Sequence, residues 1–206
     1  MVWYASYGSN LCAARFGCYI AGGTPPRGTR PCRGARDTTP PRQDRPLTIP
    51  YRLYFAGTSK TWGGAPSFID IVESPATPTP TPTRARAYLI TWEQFEDVVA
   101  QENGRSVTAP IDPALADLAE GGSHPLGSDR YENVLCVGRD EDAPVLTFTS
   151  PWTMDRAELG APALDYLRTM IDGLRESHNM TDEAMTAYLG GAPGCSEELV
   201  AHALAL

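Results

Sequence analysis

Val2-Trp3-Tyr4-Ala5-Ser6-Tyr7-Gly8-Ser9-Asn10-Leu11 decides how this chain is read. Its first half is an apolar and aromatic run of strand type, it breaks at Gly8, and a helical pattern opens directly behind Leu11. Glycine takes backbone conformations closed to other residues, and Ser9 and Asn10 are residue types that cap helix N-termini. The N–H groups of the following turn then point outward, where they hold a carboxylate or a developing oxyanion. Strand, small turn and capped helix also serve as plain connection, so further stretches have to decide between the two readings.

Those stretches follow in order. Phe55-Ala56-Gly57-Thr58-Ser59-Lys60-Thr61-Trp62-Gly63-Gly64-Ala65 precedes a strand-like Phe68-Ile69-Asp70-Ile71-Val72. Ala87-Tyr88-Leu89-Ile90 leads into a helix ending Gln101-Glu102-Asn103-Gly104, and Tyr131-Glu132-Asn133-Val134-Leu135-Cys136-Val137 opens a further strand. In this order and spacing the chain resembles the γ-glutamylcyclotransferase family over about residues 2–149, with gaps. The Tyr-Gly-Ser-Asn-Leu string resembles the branch acting on γ-glutamyl amino acids or amines rather than the glutathione-specific branch.

The resemblance implies an α+β fold, a small mixed-strand barrel flanked by helices, with the Tyr7 loop and Glu102 facing one cavity. It implies that Tyr7, Gly8, Ser9, Asn10 and Leu11 hold a small γ-glutamyl substrate and that Glu102 is catalytic; Tyr4, Trp62 and Tyr131 read either as walls of the pocket or as ordinary core. The implied reaction is attack of the substrate's α-amine on its own γ-carbonyl, releasing 5-oxoproline and a free amine without a cofactor. Phe148 stands where some members of the family carry a tyrosine, which puts the simplest γ-glutamyl amino acids in question as substrates.

The residues around Glu102 support a chemical role in their own right. Thr91 and Gln94 form a capping box, and Asn103-Gly104 ends the helix. At about 100° per residue, Trp92, Phe95, Val99 and Glu102 share one face, while Glu93, Asp97 and Gln101 fall on the solvent side. A carboxylate that continues an apolar stripe meets the interior, and burial raises its pKa toward the range of a general base. The other reading, a carboxylate in the frayed last turn reaching water, stays open on pattern alone.

At 206 residues the chain can bury one sizeable core. Residues 1–150 read as the cyclotransferase-like domain. Three helices, over 162–177, 181–189 and 196–206, read as an extension on the same domain, separated by Gly190-Gly191 and Pro193-Gly194. In the first of them Leu164, Leu167, Ile171 and Leu174 make a stripe that serves either core packing or dimerisation. Without a signal-peptide-like start or a long uncharged apolar span, the expectation is a soluble cytoplasmic protein with no membrane contact. Cys12, Cys18, Cys32, Cys136 and Cys195 are odd in number and form no close CxxC pair, so they read as small buried hydrophobes. His124, His178 and His202 lack HExxH spacing, and no metal is expected. The Gly57 to Thr61 stretch lacks phosphate-loop spacing, which speaks against ATP.

The net charge of −8 is unevenly spread, because residues 1–60 hold nine basic and two acidic side chains. Arg27, Arg30, Arg33, Arg36, Arg42 and Arg45 alternate with six prolines over residues 22–46, which therefore read as a long loop. Two readings of that loop stay open: a solvated excursion, or an arm whose guanidinium groups grip carboxylates of a substrate or an acidic partner. Overall acidity and the lack of interleaved aromatics speak against nucleic acid. The proline-threonine repeat of residues 75–83 reads as a stiff hairpin connection. Beside the enzyme stands a second class of function, a non-catalytic binding or docking module that uses the arginine arm.

Overall fold

Val2–Ser6 forms β1, and its composition explains its central place: all five residues are buried, as a strand covered on both faces requires. The computed structural model describes residues 1–71, 81–105 and 111–206. A 3-10 turn, Ser9–Leu11, leads from β1 into α1 (Ala13–Ala21), followed by β2 (Gln43–Phe55), β3 (Ser67–Ile69) and β4 (Pro82–Ile90). Then come α2 (Trp92–Glu102), β5 (Ser123–Pro125), β6 (Asn133–Asp140) and β7 (Ala143–Thr149). The chain ends in α3 (Leu164–His178), α4 (Asp182–Gly190) and α5 (Glu197–Leu204). The strands form one mixed sheet in the order β3-β2-β4-β1-β7-β6-β5, with β1 antiparallel to β4 and parallel to β7. The fold is α+β.

Alternation in β1 sends Trp3 and Ala5 into one core cluster and Val2 and Tyr4 into another. The first cluster is completed by Leu167 and Met170 of α3, Met185 of α4 and Val200 of α5. The second takes Phe16 and Ile20 of α1 with Phe95 and Val98 of α2. Helices therefore cover both faces of the sheet, and the three C-terminal helices share a core with its strands. Leu167, Ile171 and Leu174 are buried in that core, so the apolar stripe of α3 is occupied within the chain rather than offered to a second copy.

The expected closed barrel is not what forms. Among the described residues the sheet is open, with β3 and β5 as its edges. Only three residues long, β3 pairs with Leu53, Tyr54 and Phe55 of β2 and offers no second ladder. A side chain bridges the gap instead: the Thr149 hydroxyl at the end of β7 accepts from the Ile69 N–H at 3.1 Å and donates to the Ile69 carbonyl at 2.9 Å.

The arginine and proline segment is shorter than expected, because residues 43–46 already belong to β2, paired with Leu89 through Arg86 of β4. This part of β2 has no β3 beside it, and at such an edge the missing N–H of Pro46 costs no ladder bond. Inward alternation of Ile49, Tyr51, Leu53 and Phe55 holds, although Tyr54 is buried as well. The reading of residues 75–83 as a hairpin connection falls mostly on residues 72–80, outside the described residues.

Of the α2 residues assigned to solvent, Glu93 is exposed, but Gln101 is half-buried and Asp97 is covered. Asp97 is only 2% exposed, because the segment between α1 and β2 lies over it. Arg36 donates its backbone N–H to Asp97 at 2.7 Å, its Nε to the same carboxylate at 2.9 Å and its Nη2 to Glu96 at 2.9 Å. Gln94 donates from Nε2 to the carbonyls of Asp37 and Thr39. These contacts depend on residues some sixty positions away, which helical periodicity does not register.

Candidate active site

Two elements meet where β1 leaves the sheet: the turn behind Tyr7 and the last turn of α2. The capping box that starts α2 is present in full, with the Thr91 side chain accepting from the Gln94 N–H and the Gln94 side chain accepting from the Thr91 N–H. Eleven residues later the helix delivers Glu102 to a cavity of about 470 Å³. Tyr7, Gly8, Ser9 and Asn10 line the same cavity, as do Trp62 and Tyr131. Leu11 does not: it is fully buried in the core beneath.

Asn10 is the link between turn and helix. Its Nδ2 donates to Glu102 Oε1 at 2.9 Å and lies 3.4 Å from the Tyr4 hydroxyl. A carboxylate only accepts, so the amide nitrogen has to face it. The Asn10 Oδ1 atom is then left buried without a protein partner. Backbone anchors fix the turn: the Tyr88 hydroxyl donates to the Asn10 carbonyl at 2.8 Å, and Arg86 Nη1 donates to the Leu11 carbonyl at 3.2 Å.

The capping expectation for Ser9 and Asn10 is corrected. Residues 9–11 form a 3-10 turn, α1 starts one turn later behind Cys12, and no side chain of the turn caps it. Its Ala13 N–H is taken at 2.9 Å by the Glu176 carboxylate of α3. The amide groups left for a ligand are those of Ser9 and Asn10, the first N–H groups of the 3-10 turn, which have no acceptor within it. Gly8 is required for space: a Cβ there would stand 2.8 Å from Ser67 Oγ and 2.9 Å from the Tyr166 hydroxyl.

Burial pushes the Glu102 carboxyl above the usual glutamate range, against the opposing charge of Arg15 and the hydrogen bonds of Tyr19 and Asn10. The Tyr7, Tyr19, Tyr131 and Tyr166 hydroxyls are all raised, burial being the largest cause in each. They stay protonated near neutral pH. Tyr7 donates to the Phe148 carbonyl at 2.8 Å, and Tyr131 to the Ser67 carbonyl at 3.0 Å. Tyr131 lies just ahead of β6 rather than within it, and is tied to the end of α2 through Asn103, which donates to its carbonyl at 3.1 Å.

Arg15, Tyr19 and Tyr166 also line the cavity and were not singled out from the sequence. Arg15 and Tyr19 sit one helical turn apart on α1, joined by Nη2 to hydroxyl at 3.2 Å, a spacing that was available as a signal. Tyr166 comes from α3, outside the stretch that carries the family resemblance, and accepts from the Ser67 N–H at 3.1 Å. Tyr4 and Phe148 stack at 5.2 Å to close the floor. All five cysteines are free thiols, Cys12 and Cys136 buried and the other three half-buried. No group of three or more His, Cys, Asp or Glu side chains able to hold a metal ion comes together among the described residues. No helix among them is long and apolar enough to cross a membrane.

No family model matches the chain, and no solved structure matches it. It is 37% identical over 208 residues to histone deacetylase 5 of Arabidopsis thaliana, a match that takes in 93% of this chain and 30% of that protein. The chain therefore spans less than a third of that relative's length.

Proposed function

We propose that the chain is a γ-glutamylcyclotransferase-type enzyme that cleaves a γ-glutamyl amide to 5-oxoproline and a free amine. The observation that carries this reading is the Glu102 and Asn10 pair: a carboxyl held above its usual range beside a buried amide oxygen with no protein partner. A substrate ammonium answers both, giving one proton to Glu102 and directing another N–H at Asn10 Oδ1.

The resulting amine attacks the γ-carbonyl carbon, forming the new carbon–nitrogen bond of a five-membered lactam. In this reading the Ser9 and Asn10 N–H groups donate to the carbonyl oxygen as it gains charge, a contribution of about 3–4 kcal/mol per donor in such sites. The amide carbon–nitrogen bond then breaks as Glu102 returns its proton to the departing nitrogen, and the second proton of the attacking nitrogen passes by way of Glu102 to the released amine, so no water is consumed. Nucleophile and electrophile share one molecule, and holding them in an attacking shape is worth effective molarities of about 10⁵–10⁸ M. Within the family's fold, the open sheet bridged by Thr149 is read as the counterpart of the small barrel.

The docking alternative loses support from two of its own arginines. Arg27 is paired with Asp172, and Arg36 with Glu93, Glu96 and Asp97, all within the chain. The named relative favours a second reading, removal of an acetyl group from a histone. One assay separates them: purified protein and its Glu102→Gln variant are incubated with γ-glutamyl amino acids, γ-glutamyl amines, glutathione and acetylated histone peptides. Release of 5-oxoproline by the unmodified protein alone supports the cyclotransferase. Acetate release without 5-oxoproline supports the deacetylase.

A further inference from the structure

Arg15 is 5% exposed, yet among the described residues no carboxylate lies within ion-pairing distance of it. Its guanidinium lies over the Tyr19 ring at 5.0 Å and the Trp62 ring at 5.2 Å, and Nη1 reaches Cys32 Sγ at 3.8 Å. The Nε atom is buried with no hydrogen-bond partner among the described residues. Glu102 acts on the guanidinium through space without a direct ion pair, and a buried cation in this state gains from a counter-charge that arrives beside it.

Arg15 also stands on a boundary. It lines the cavity that holds Glu102 and, with Tyr19, Thr61, Gln101 and Gly104, a second cavity of about 340 Å³ beside it. That second space is lined by Arg30, Arg33 and Arg105, with no acidic side chain in its wall among the described residues. Arg105 is neutralised by Glu132, whereas Arg30 forms no ion pair with a described residue. In a chain of net charge −8, an arginine-walled space opening onto a carboxylate site concentrates positive potential where a substrate enters.

Resting on the γ-glutamyl reading of the main cavity, we infer that the second cavity receives the amine half of the substrate and that this half carries a strong anion. The γ-glutamyl group occupies the Glu102 side, the scissile amide passes Arg15, and the anion lies among Arg15, Arg30 and Arg33. Arginine favours planar oxyanions, so carboxylate and phosphate share the required chemistry.

Matched substrates test it. γ-Glutamyl-β-alanine is compared with γ-glutamyl-β-alaninamide, and γ-glutamyl-phosphoethanolamine with γ-glutamyl-ethanolamine, by 5-oxoproline release at low and high salt. The anionic member of at least one pair is expected to show a kcat/KM about tenfold or more above its neutral twin, the size of one hydrogen bond to a charged group. The pair that responds identifies the anion. Added salt and the double variant Arg30→Gln, Arg33→Gln are both expected to bring that ratio toward one, and a ratio is insensitive to any loss of folded protein. Equal rates within both pairs would overturn the inference and leave the cyclotransferase standing. Absence of 5-oxoproline from every substrate would overturn the cyclotransferase reading, and the inference with it.

Discussion

Arg36, fastened to α2, and Arg15, carried on α1, are treated in opposite ways. Arg36 is half exposed, and its guanidinium meets Glu93, Glu96 and Asp97, so that a loop is fastened to α2. Arg15 is buried in the cavity wall and, among the described residues, makes direct contact with rings, a hydroxyl and a thiol but forms no ion pair, Glu102 acting on it through space. Charge used for structure is matched inside the chain, and charge kept for a ligand is left open. Asn10 repeats the second pattern, with its amide nitrogen on Glu102 and its oxygen unpaired.

The largest expected effect falls on the open side. Glu102→Gln keeps the shape of the site and removes the proton carrier, so kcat should fall by about 10²–10⁴, read as 5-oxoproline per unit time. Next comes Arg15→Met, which should lower kcat/KM about tenfold or more for an anionic substrate while leaving the melting temperature unchanged or raised. Arg36→Met should do the reverse. Stability falls by about 1–3 kcal/mol as Asp97 loses charged hydrogen bonds, and activity per folded molecule is retained; denaturant titration and kinetics read the two separately. If both arginine variants lost stability and kept activity, the contrast between them would collapse.

Smaller effects sharpen the picture. Gly8→Ala places a Cβ against Ser67 and Tyr166, and overpacking of this kind costs about 1–3 kcal/mol, with a raised KM. The smallest is a pH effect on stability. Because burial raises the Glu102 pKa in the folded chain, its protonated form favours folding, and that contribution is lost as pH rises through the raised value. Glu102→Gln should therefore melt higher than the unmodified protein near neutral pH, with the difference shrinking as pH falls toward the ordinary glutamate range.

Local signals were legible and remote ones were not. Thr91 and Gln94 announced the start of α2, because caps act within a few residues, whereas the apolar stripe left Glu102 between interior and water and the family resemblance turned it inward. Residues 7–11 were read as a ligand loop and all but Leu11 line the cavity, but Ser9 and Asn10 were taken for helix caps. The carboxylate that satisfies α1 is Glu176, more than 160 positions away. Asp97 was assigned to solvent for the same reason, since the loop that covers it is distant in the chain. Tyr166 entered the cavity from a helix beyond the family-like stretch, and Arg15 drew its meaning from Trp62, which is far from α1 in sequence. Openness of the sheet turned on the three-residue length of β3, a boundary that residue pattern does not define.

Oxygen-18 water gives the most direct test of Glu102 as proton carrier for an internal amine. The unmodified protein is incubated in labelled water with γ-glutamyl-glutamate, and the products are weighed by mass spectrometry. Cyclisation takes no oxygen from water, so the expected product is unlabelled 5-oxoproline together with unlabelled glutamate from the amine half. Glutamate carrying one labelled oxygen, with no 5-oxoproline, would mean that water attacks the amide and would contradict the mechanism.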